Sequence, residues 1–243
     1  SDPRLPNGGG YTLEGLRNLK PTAFGRPTQN LNALSIDYGK AIEHWNGVDI
    51  NLNARFTALT LSGGISTGKT LTDNCEIVAK LPEMNTNQVI NAANQVQSSS
   101  YCRQEEPFIT DAKIQAIYRI PRVDVQLAGT LSNVPGPMIQ ANYTATNAVI
   151  LPSLGRPLSA GAANKTVNLV IPNSLYGERL TQIDVRVSKI FRFGSRRLSA
   201  GVDVYNILNQ DTILGQSNSF GNWQTPQQII MARFVKLSGT FDF

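Results

Sequence analysis

The last sixteen residues alternate between apolar and polar side chains, and this period of two constrains the fold more than any other feature. One parity carries Ile229, Met231, Val235, Leu237, Phe241 and Phe243, and the other carries Gln228, Lys236, Ser238, Thr240 and Asp242. Successive side chains of a β-strand point to opposite faces, so the pattern predicts one strand over 228–243 with an apolar face and a polar face. Such a strand can cover a soluble core, or it can face lipid on the outside of a barrel.

The same alternation recurs along most of the chain. It is found at 48–56, 59–65, 111–118, 123–131, 182–188 and 198–204. A weaker strand is predicted over Leu31–Tyr38, which brings the total to about eight. Half-polar strands of this kind are typical of antiparallel sheets, and no long stretch has helical periodicity. The sequence therefore predicts an all-β, antiparallel, up-and-down fold across residues 1–243.

Composition narrows the class of protein without deciding between a soluble sheet and a barrel. Nothing in the sequence approaches the roughly 18 consecutive apolar residues that a membrane-spanning helix needs. Barrel strands hide their apolar half by alternation, so a transmembrane barrel stays open. The net charge of +5 is mild and Lys and Arg are scattered singly, so we predict no nucleic-acid partner. Residue 1 is Ser, and we expect the chain to be the end of a longer protein or a trimmed piece of one.

The connections between the predicted strands sort into two lengths. Short turns are predicted at 58–59, 120–122 and 192–196, and long segments at 70–107, 132–177 and 206–227. Short and long connections alternate, so all short turns fall at one end of the sheet, as in bacterial outer-membrane barrels with short periplasmic turns and long extracellular loops. The aromatic residues beside the short turns and at the C-terminus would form an interfacial girdle: Phe56, Tyr118, Phe191, Phe193, Phe241 and Phe243.

The polar parity predicts a hydrated lumen if the sheet is part of a barrel. Its expected lumen-facing residues are Asp49, Asn51, Asn53, Arg55, Asp124, Gln126, Asp184, Arg186 and Asp203. Two charges, Lys189 and Arg233, fall on the apolar parity, and we expect them near strand ends, where long side chains reach the headgroups. A soluble β-sandwich would give the same alternation, but its aromatic residues would lie in mid-strand within a dry core.

Two cysteines, Cys75 and Cys102, lie in the same polar, turn-rich segment. In an oxidising compartment they can close a loop disulfide, and the alternative is two free thiols.

One motif matches a catalytic pattern in sequence alone. Gly63–Thr70 reads G-x-x-x-x-G-K-T, the phosphate-loop pattern, which requires a buried strand before it and a helix after it. The preceding segment is half polar, and no helical face follows, so nucleotide binding is not predicted. His44 is the only histidine, and we expect it in a short outer loop over 39–45. We predict no enzyme activity, cofactor or metal site.

Five segments resemble a known family of membrane proteins. They are LTQIDVRVSKIFRFGSRRLSAGVDVYNILN at 180–209, RFVKLSGTFDF at 233–243, HWNGVDINLNARF at 44–56, LPSLGR at 151–156 and DPRLPNGGGY at 2–11. Together they resemble the C-terminal end of TonB-dependent outer-membrane receptors, in particular the large receptors with an N-terminal carboxypeptidase-regulatory-like domain. The YNILN segment and the terminal strand are the most specific parts.

The resemblance implies a function that this chain would share with the rest of a receptor. The whole protein would be a barrel of about 22 strands with an N-terminal plug, importing a siderophore, a cobalamin-like molecule or an oligosaccharide across the outer membrane with energy from TonB. Residues 1–243 would lack the plug and the TonB box. Their partners would be the remaining barrel and plug, outer-membrane lipid, the solute and the barrel-assembly machinery. Lys236, Phe241 and Phe243 fit the assembly signal, although Ser238 stands where the family usually has Gly.

Three alternatives remain at the level of sequence, of which the one with least support is a phosphate-loop enzyme that binds nucleotide at 63–70. Of the other two, the first is a self-contained eight-stranded outer-membrane barrel with a structural or adhesive role, in which the 31–38 strand would pair with the terminal strand. The second is a soluble β-sandwich that acts as a binding module.

Overall fold

The alternating segments fold into strands of one antiparallel sheet, and the long connections carry most of the remaining secondary structure. The computed structural model describes residues 2–27, 29, 31–82, 95–96 and 98–243. Its strands and α-helices are, in chain order, β1 (Ile42–Arg55), β2 (Leu59–Asp73), α1 (Cys75–Lys80), β3 (Gln95–Val96), β4 (Arg103–Glu105), β5 (Ile109–Ile120), β6 (Val125–Val134), β7 (Asn142–Thr146), α2 (Asn147–Leu154), β8 (Asn164–Asn168), β9 (Leu180–Phe193), β10 (Arg196–Tyr205), β11 (Ile213–Gln216), β12 (Pro226–Ile229) and β13 (Phe234–Asp242).

Seven long strands follow one another in the order β1-β2-β5-β6-β9-β10-β13, and the short strand β4 pairs with the far end of β2. Every pairing in this sheet is antiparallel. The predicted antiparallel, up-and-down sheet of about eight strands is therefore confirmed, and the chain is mostly rather than entirely β, because the long connections also carry α1 and α2. Among the described residues, β1 and β13 are each paired on one side only, so the sheet has two edges.

Three local predictions were wrong. Residues 31–38 form no strand, and Ser35–Asp37 form a 3₁₀ turn instead. The terminal alternation is divided between two strands: β12 pairs with β11, and the Ile230 N–H donates to the Thr212 carbonyl before β13 begins. His44 lies within β1 opposite Leu71, because β1 and β2 continue past the predicted strand ends. Alternation determines the face on which each residue lies, whereas pairing with neighbouring strands determines where each strand begins and ends.

The connections alternate in length around the sheet as the sequence predicts. Residues 56–58, 121–124 and 194–195 make the short turns, and the long segments 74–108, 135–179 and 206–233 lie at the opposite end. The tightest turn joins β9 to β10 through Gly194, whose φ of 62° suits a residue without a Cβ.

The long segments pack on one another and hold the hydrophobic core of the described chain. A three-stranded sheet, β3-β8-β7, lies beside the β11–β12 hairpin. Ile139, Ala141, Val170 and Trp223 form the buried cluster, and the Trp223 Nε1–H donates to the Gln140 carbonyl at 2.7 Å. We call this assembly the loop cap.

An extended N-terminal segment crosses the loop cap. The Tyr11 hydroxyl donates to the Leu169 carbonyl at 2.6 Å, and Arg156 donates to the Leu19 carbonyl at 2.6 Å. The Ser99 N–H donates to the Gly15 carbonyl at 3.2 Å. These contacts place residues 11–19 at the long-loop end of the sheet.

In the part of the chain that the structure describes, none of the helices combines the length and apolarity required to span a bilayer.

Candidate functional site

The register of the sheet gathers the apolar parity of every long strand on one face. Residues directly opposite each other in an antiparallel pair share a face. One apolar row therefore runs through Leu59, Tyr118, Leu127, Val187, Val202 and Leu237. A second row runs through Ala54, Leu61, Ala116, Gly129, Val185, Val204 and Val235. The apolar surface is thus continuous from β1 to β13.

This apolar face is exposed rather than packed. Val48, Ile50 and Leu237 are 57%, 61% and 77% exposed. Every buried hydrophobic residue among the described residues lies outside the seven long strands, chiefly in the loop cap. A sandwich would bury this face under a second sheet. Among the described residues no second layer covers it.

The polar parity forms the opposite face, which we call the inner face. A single row of paired residues runs across it through Arg55, Thr60, Ile117, Ala128, Arg186, Asp203 and Lys236. Two polar side chains on this face are buried, Asp203 and Ser188. In β9 and β10 the polar parity is therefore the more buried one, whereas in β1 and β13 nearly all side chains of both faces are exposed.

An ion-pair network stabilises the inner face where it is buried. Arg186 Nη1 donates to the two carboxylate oxygens of Asp203 at 2.9 and 3.0 Å, and its Nη2 donates to the Ser238 hydroxyl at 3.2 Å. The network joins β9, β10 and β13 through side chains as well as through the backbone ladder. Charge-assisted hydrogen bonds of this kind are stronger than neutral ones.

A second polar cluster lies where β10 enters the loop cap. Asp184 Oδ1 accepts from the backbone N–H of Asn206 at 2.8 Å and from Gln182 Nε2 at 3.0 Å. Asn206 has a φ of 49°, and its Nδ2 donates to the carbonyls of Gln210 and Met231. The YNILN segment was distinctive in the sequence, but Asn206 was not predicted as the residue that ties β10 to the loop. An Asn at the end of a strand is a signal for such a left-handed position.

Most of the predicted lumen-facing residues share the inner face. Those on strands are Asp49, Asn51, Asn53, Arg55, Gln126, Asp184, Arg186 and Asp203. The prediction that Asp124 lies on the lumen-facing side of a strand was wrong, because Asp124 lies in the 121–124 turn, with a φ of 48°, and not in β6. Its carboxylate pairs with Arg192 at 3.2 Å, and this hydrogen bond lowers the pKa of Asp124.

The aromatic side chains predicted for the girdle lie at the short-turn end. All six are exposed: Phe56, Tyr118, Phe191, Phe193, Phe241 and Phe243. Phe191, Leu198 and Phe241 form one cross-strand row on the apolar face. Lys189 is opposite Val125, the first residue of β6, and its Nζ lies 5.5 Å from the Phe191 ring centroid. Arg233 precedes β13 and donates to the Ile207 carbonyl, so both charges are near strand ends.

A disulfide joins Cys75 and Cys102 within the first long segment, with a Cα–Cα distance of 4.8 Å. The bond connects α1 to the 3₁₀ turn Ser99–Cys102, and Arg103 pairs with Asp73 at 3.0 Å beside it. Tyr101, in the same turn, is buried, and this burial raises its pKa to about 12. Burial likewise raises the pKa of Tyr176, in the second long segment, to about 12.

The phosphate-loop motif has no phosphate-binding geometry. Gly63–Gly68 lies in the middle of β2 and pairs with both β1 and β5, so its backbone groups belong to the two ladders. Lys69 makes an ion pair with Glu105 and faces the Phe108 ring. In the described residues no group of three or more His, Cys, Asp or Glu side chains is placed to hold a metal ion.

Comparison with protein-family models finds no match for this chain, and comparison with curated proteins finds none either.

Proposed function

We propose that this chain forms the C-terminal part of the barrel wall of a TonB-dependent outer-membrane receptor that imports a scarce solute. The observation that carries the proposal is the burial in β9 and β10, with Val187 and Val202 exposed on one face and Ser188 and Asp203 buried on the other. In a bilayer this arrangement puts hydrocarbon against Val, Ile and Leu and leaves the polar groups in a hydrated interior.

The strand lengths and the aromatic rim agree with a membrane location. A transmembrane β-strand needs about 9–11 residues. The seven long strands have between 9 residues in β13 and 15 in β2. The six exposed aromatic residues at the short-turn end would lie at the periplasmic interface, and the loop cap would face the outside.

The two sheet edges support the proposal that this wall continues in further strands. Lipid offers no hydrogen bonds to an unpaired strand, so β1 and β13 would pair with further strands of the same receptor. The inner face would then surround a plug, TonB would act through a box elsewhere in the receptor, and the barrel-assembly machinery would read Lys236, Phe241 and Phe243.

The alternatives have less support. An eight-stranded barrel would need a strand at 31–38 to pair with β13, and those residues form none. A soluble sandwich would need a dry core between two sheets, whereas the apolar face is exposed.

Refolding the whole chain with and without detergent tests the proposal. We expect a folded, monodisperse species in detergent micelles and aggregation in plain buffer, because the exposed apolar face needs an apolar solvent. A matched variant, Val48→Thr with Ile50→Thr and Leu237→Thr, should remain dispersed in buffer more readily. A stable monomer of the unmodified chain in plain buffer would contradict the proposal. In the gene, a coding segment for a plug upstream of Ser1 is expected.

A further inference from the structure

Residues 11–19, which we call the strap, lie across the loop cap in an extended conformation without regular secondary structure. The backbone of the strap bonds to the first long segment at two adjacent points. The Ser98 hydroxyl donates to the Glu14 carbonyl, and the Ser99 N–H donates to the Gly15 carbonyl at 3.2 Å. The first long segment therefore supplies both donors at this contact.

The strap also bonds to the second long segment. Arg156 donates to the Leu19 carbonyl and to Asn18 Oδ1, and the Ser159 N–H donates to the same Asn18 oxygen at 3.0 Å. The strap is the acceptor in each of these bonds, and none of its own backbone N–H groups donates to another described residue. A strand within a ladder uses both its N–H and its carbonyl groups, so the strap is held less firmly than the strands.

Gly15 determines how closely the strap lies on the first long segment. Its φ is 71°, and an added Cβ would be 1.9 Å from Ser99 Oγ. Rotation of the Ser99 hydroxyl would remove that contact, but the Cβ and the backbone N of Ser99 would each still be 3.0 Å away. Gly25 has a similar φ of 73°, and a Cβ added there would meet nothing within 4 Å. A side chain at Gly15 would therefore push the strap off its hydrogen-bond partner.

The strap lies over an apolar cleft that it does not fill. Two cavities of about 260 and 330 Å³ lie between the strap and the loop cap, and Leu13 lines both. The loop-cap wall of the larger cavity includes Tyr101, Leu169, Val170 and Ile171. Close-packed interiors contain few voids larger than a water molecule. The strap can therefore leave the cleft with less loss of packing than a core segment would incur.

The chain on both sides of the strap allows it to lift. The three glycines at 8–10 precede it, with φ values between 69° and 79° that suit residues without a Cβ. After the strap, Leu31, Leu34 and Ile36 are 77%, 72% and 71% exposed. That stretch does not pack on the described chain, so it does not hold the strap in place.

We propose that the loop cap carries a cleft for an extended peptide and that the strap is the occupant of this cleft within the chain. When the strap lifts, the cleft is open to a second segment of the same chemistry. Ser98, Ser99 and Arg156 donate to main-chain carbonyls, which every extended peptide offers. Leu13 and Leu16 line the cavities on either side of the glycine that lies against Ser99. The ligand class is therefore an extended peptide with the sequence Leu-x-Gly-Leu.

Trypsin cleavage after Arg17 measures how often the strap lifts, because proteolysis of a segment follows the population of its open form. The whole chain is used, in detergent or in buffer, whichever keeps it monodisperse. Gly15→Ala should speed this cleavage about tenfold or more, since Ala is incompatible with both the φ and the space at this position. Gly25→Ala carries the same backbone strain without the contact and should be cleaved after Arg17 at the wild-type rate.

Binding of a peptide added in solution tests the cleft itself. The probe is fluorescein-labelled GYTLEGLRNLK, the sequence of residues 10–20, and the matched control peptide has Ala in place of its central Gly. Measured by fluorescence anisotropy, the probe should bind the Gly15→Ala chain saturably. It should bind the unmodified chain about tenfold more weakly or less, because the strap competes for the cleft. The control peptide should bind neither chain, although its affinity for detergent is the same.

A second variant keeps the test decisive if Gly15→Ala does not fold. Tyr11→Phe removes only the hydrogen bond from the Tyr11 hydroxyl to the Leu169 carbonyl. It should speed cleavage after Arg17 several-fold and strengthen binding of the probe in the same direction.

Four results would overturn the assignment. They are equal cleavage of the Gly15→Ala and Gly25→Ala chains, no binding of the probe to the opened chain, equal binding of the control peptide, and loss of the β-sheet circular dichroism together with the strap. The cleft lies in the loop cap and does not depend on whether the sheet faces lipid. Detergent-dependent refolding, read in the same samples, therefore tests the barrel-wall proposal separately.

Discussion

Val202 and Asp203 are neighbours in β10, and the apolar residue is 41% exposed whereas the charged one is 5% exposed. Val202 pairs with Val187 and Leu237 on the apolar face, and Asp203 pairs with Arg186 and Lys236 on the inner face. In water, exposure of Val202 and burial of Asp203 would both be unfavourable. Exposure of Val202 becomes favourable when the apolar face meets hydrocarbon.

Val202→Arg tests the environment of the apolar face. Val202 lies well inside β10, so a lipid-facing Arg there should lower the free energy of unfolding in bilayers by about 2–4 kcal/mol. The measurement is reversible denaturation in lipid vesicles. Val123→Arg, in the 121–124 turn, is the control and should cost much less. Equal and small effects at the two positions would mean that Val202 faces water.

The Arg186–Asp203 pair should contribute measurably to stability. Asp203→Ala should lower the free energy of unfolding by about 1–3 kcal/mol, because it leaves the guanidinium without its carboxylate on a partly buried face. A double-mutant cycle with Arg186→Met isolates the coupling between the two side chains. The comparison pair is Arg197–Asp242, which is exposed and 3.4 Å apart, with an expected coupling below about 1 kcal/mol. Similar coupling energies for the two pairs would contradict the expectation that the burial of Asp203 strengthens its ion pair with Arg186.

The disulfide should stabilise the loop cap rather than the sheet. Closing the loop between Cys75 and Cys102, 27 residues apart, is worth about 3–4 kcal/mol in the chain-entropy estimate. Replacing both cysteines with Ser should speed proteolysis of the long loops and leave the β-sheet circular dichroism unchanged. Mass spectrometry after alkylation checks the bond itself. Free thiols in the oxidised protein would contradict the pairing.

Tyrosine ionisation should report unfolding of the loop cap at high pH. Burial raises the pKa of Tyr101 to about 12 in the folded chain, against a usual value of 10.0. The unfolded chain therefore loses this proton first, and the stability that burial provides is complete below pH 10 and is lost as the pH rises through about 12. Tyrosinate absorbance should show late-ionising residues, fewer of them in Tyr101→Phe. A wild-type titration with no late component would contradict the burial.

The period-two pattern was sufficient to predict the faces of the sheet. Residues two apart on one strand lie on the same face, and successive residues lie on opposite faces. The alternation alone therefore assigns Val185 and Arg186 to opposite faces. The alternation of short and long connections likewise predicted which end holds the aromatic rim. These features follow from backbone geometry alone.

Strand ends and the loop cap could not be predicted in this way. β2 runs on to Asp73 because β1 and β4 supply hydrogen-bond partners that its own sequence does not reveal. β12 forms a strand separate from β13 because it pairs with β11. The position of the Trp45 indole over Gly47 and Gly68 could not be predicted either, since it requires these two glycines to be opposite each other. Long-range pairing decides all three.

Quenching of a fluorophore by brominated lipid at consecutive residues of β10 shows directly which face of the sheet meets lipid. Single labelled cysteines replace Val202, Asp203 and Val204 in turn, in a Cys75→Ser, Cys102→Ser chain reconstituted in vesicles. A lipid-facing apolar surface should give strong quenching at Val202 and Val204 and weak quenching at Asp203. Uniformly weak quenching, or quenching at Asp203 alone, would contradict a lipid-facing apolar surface and the import function with it.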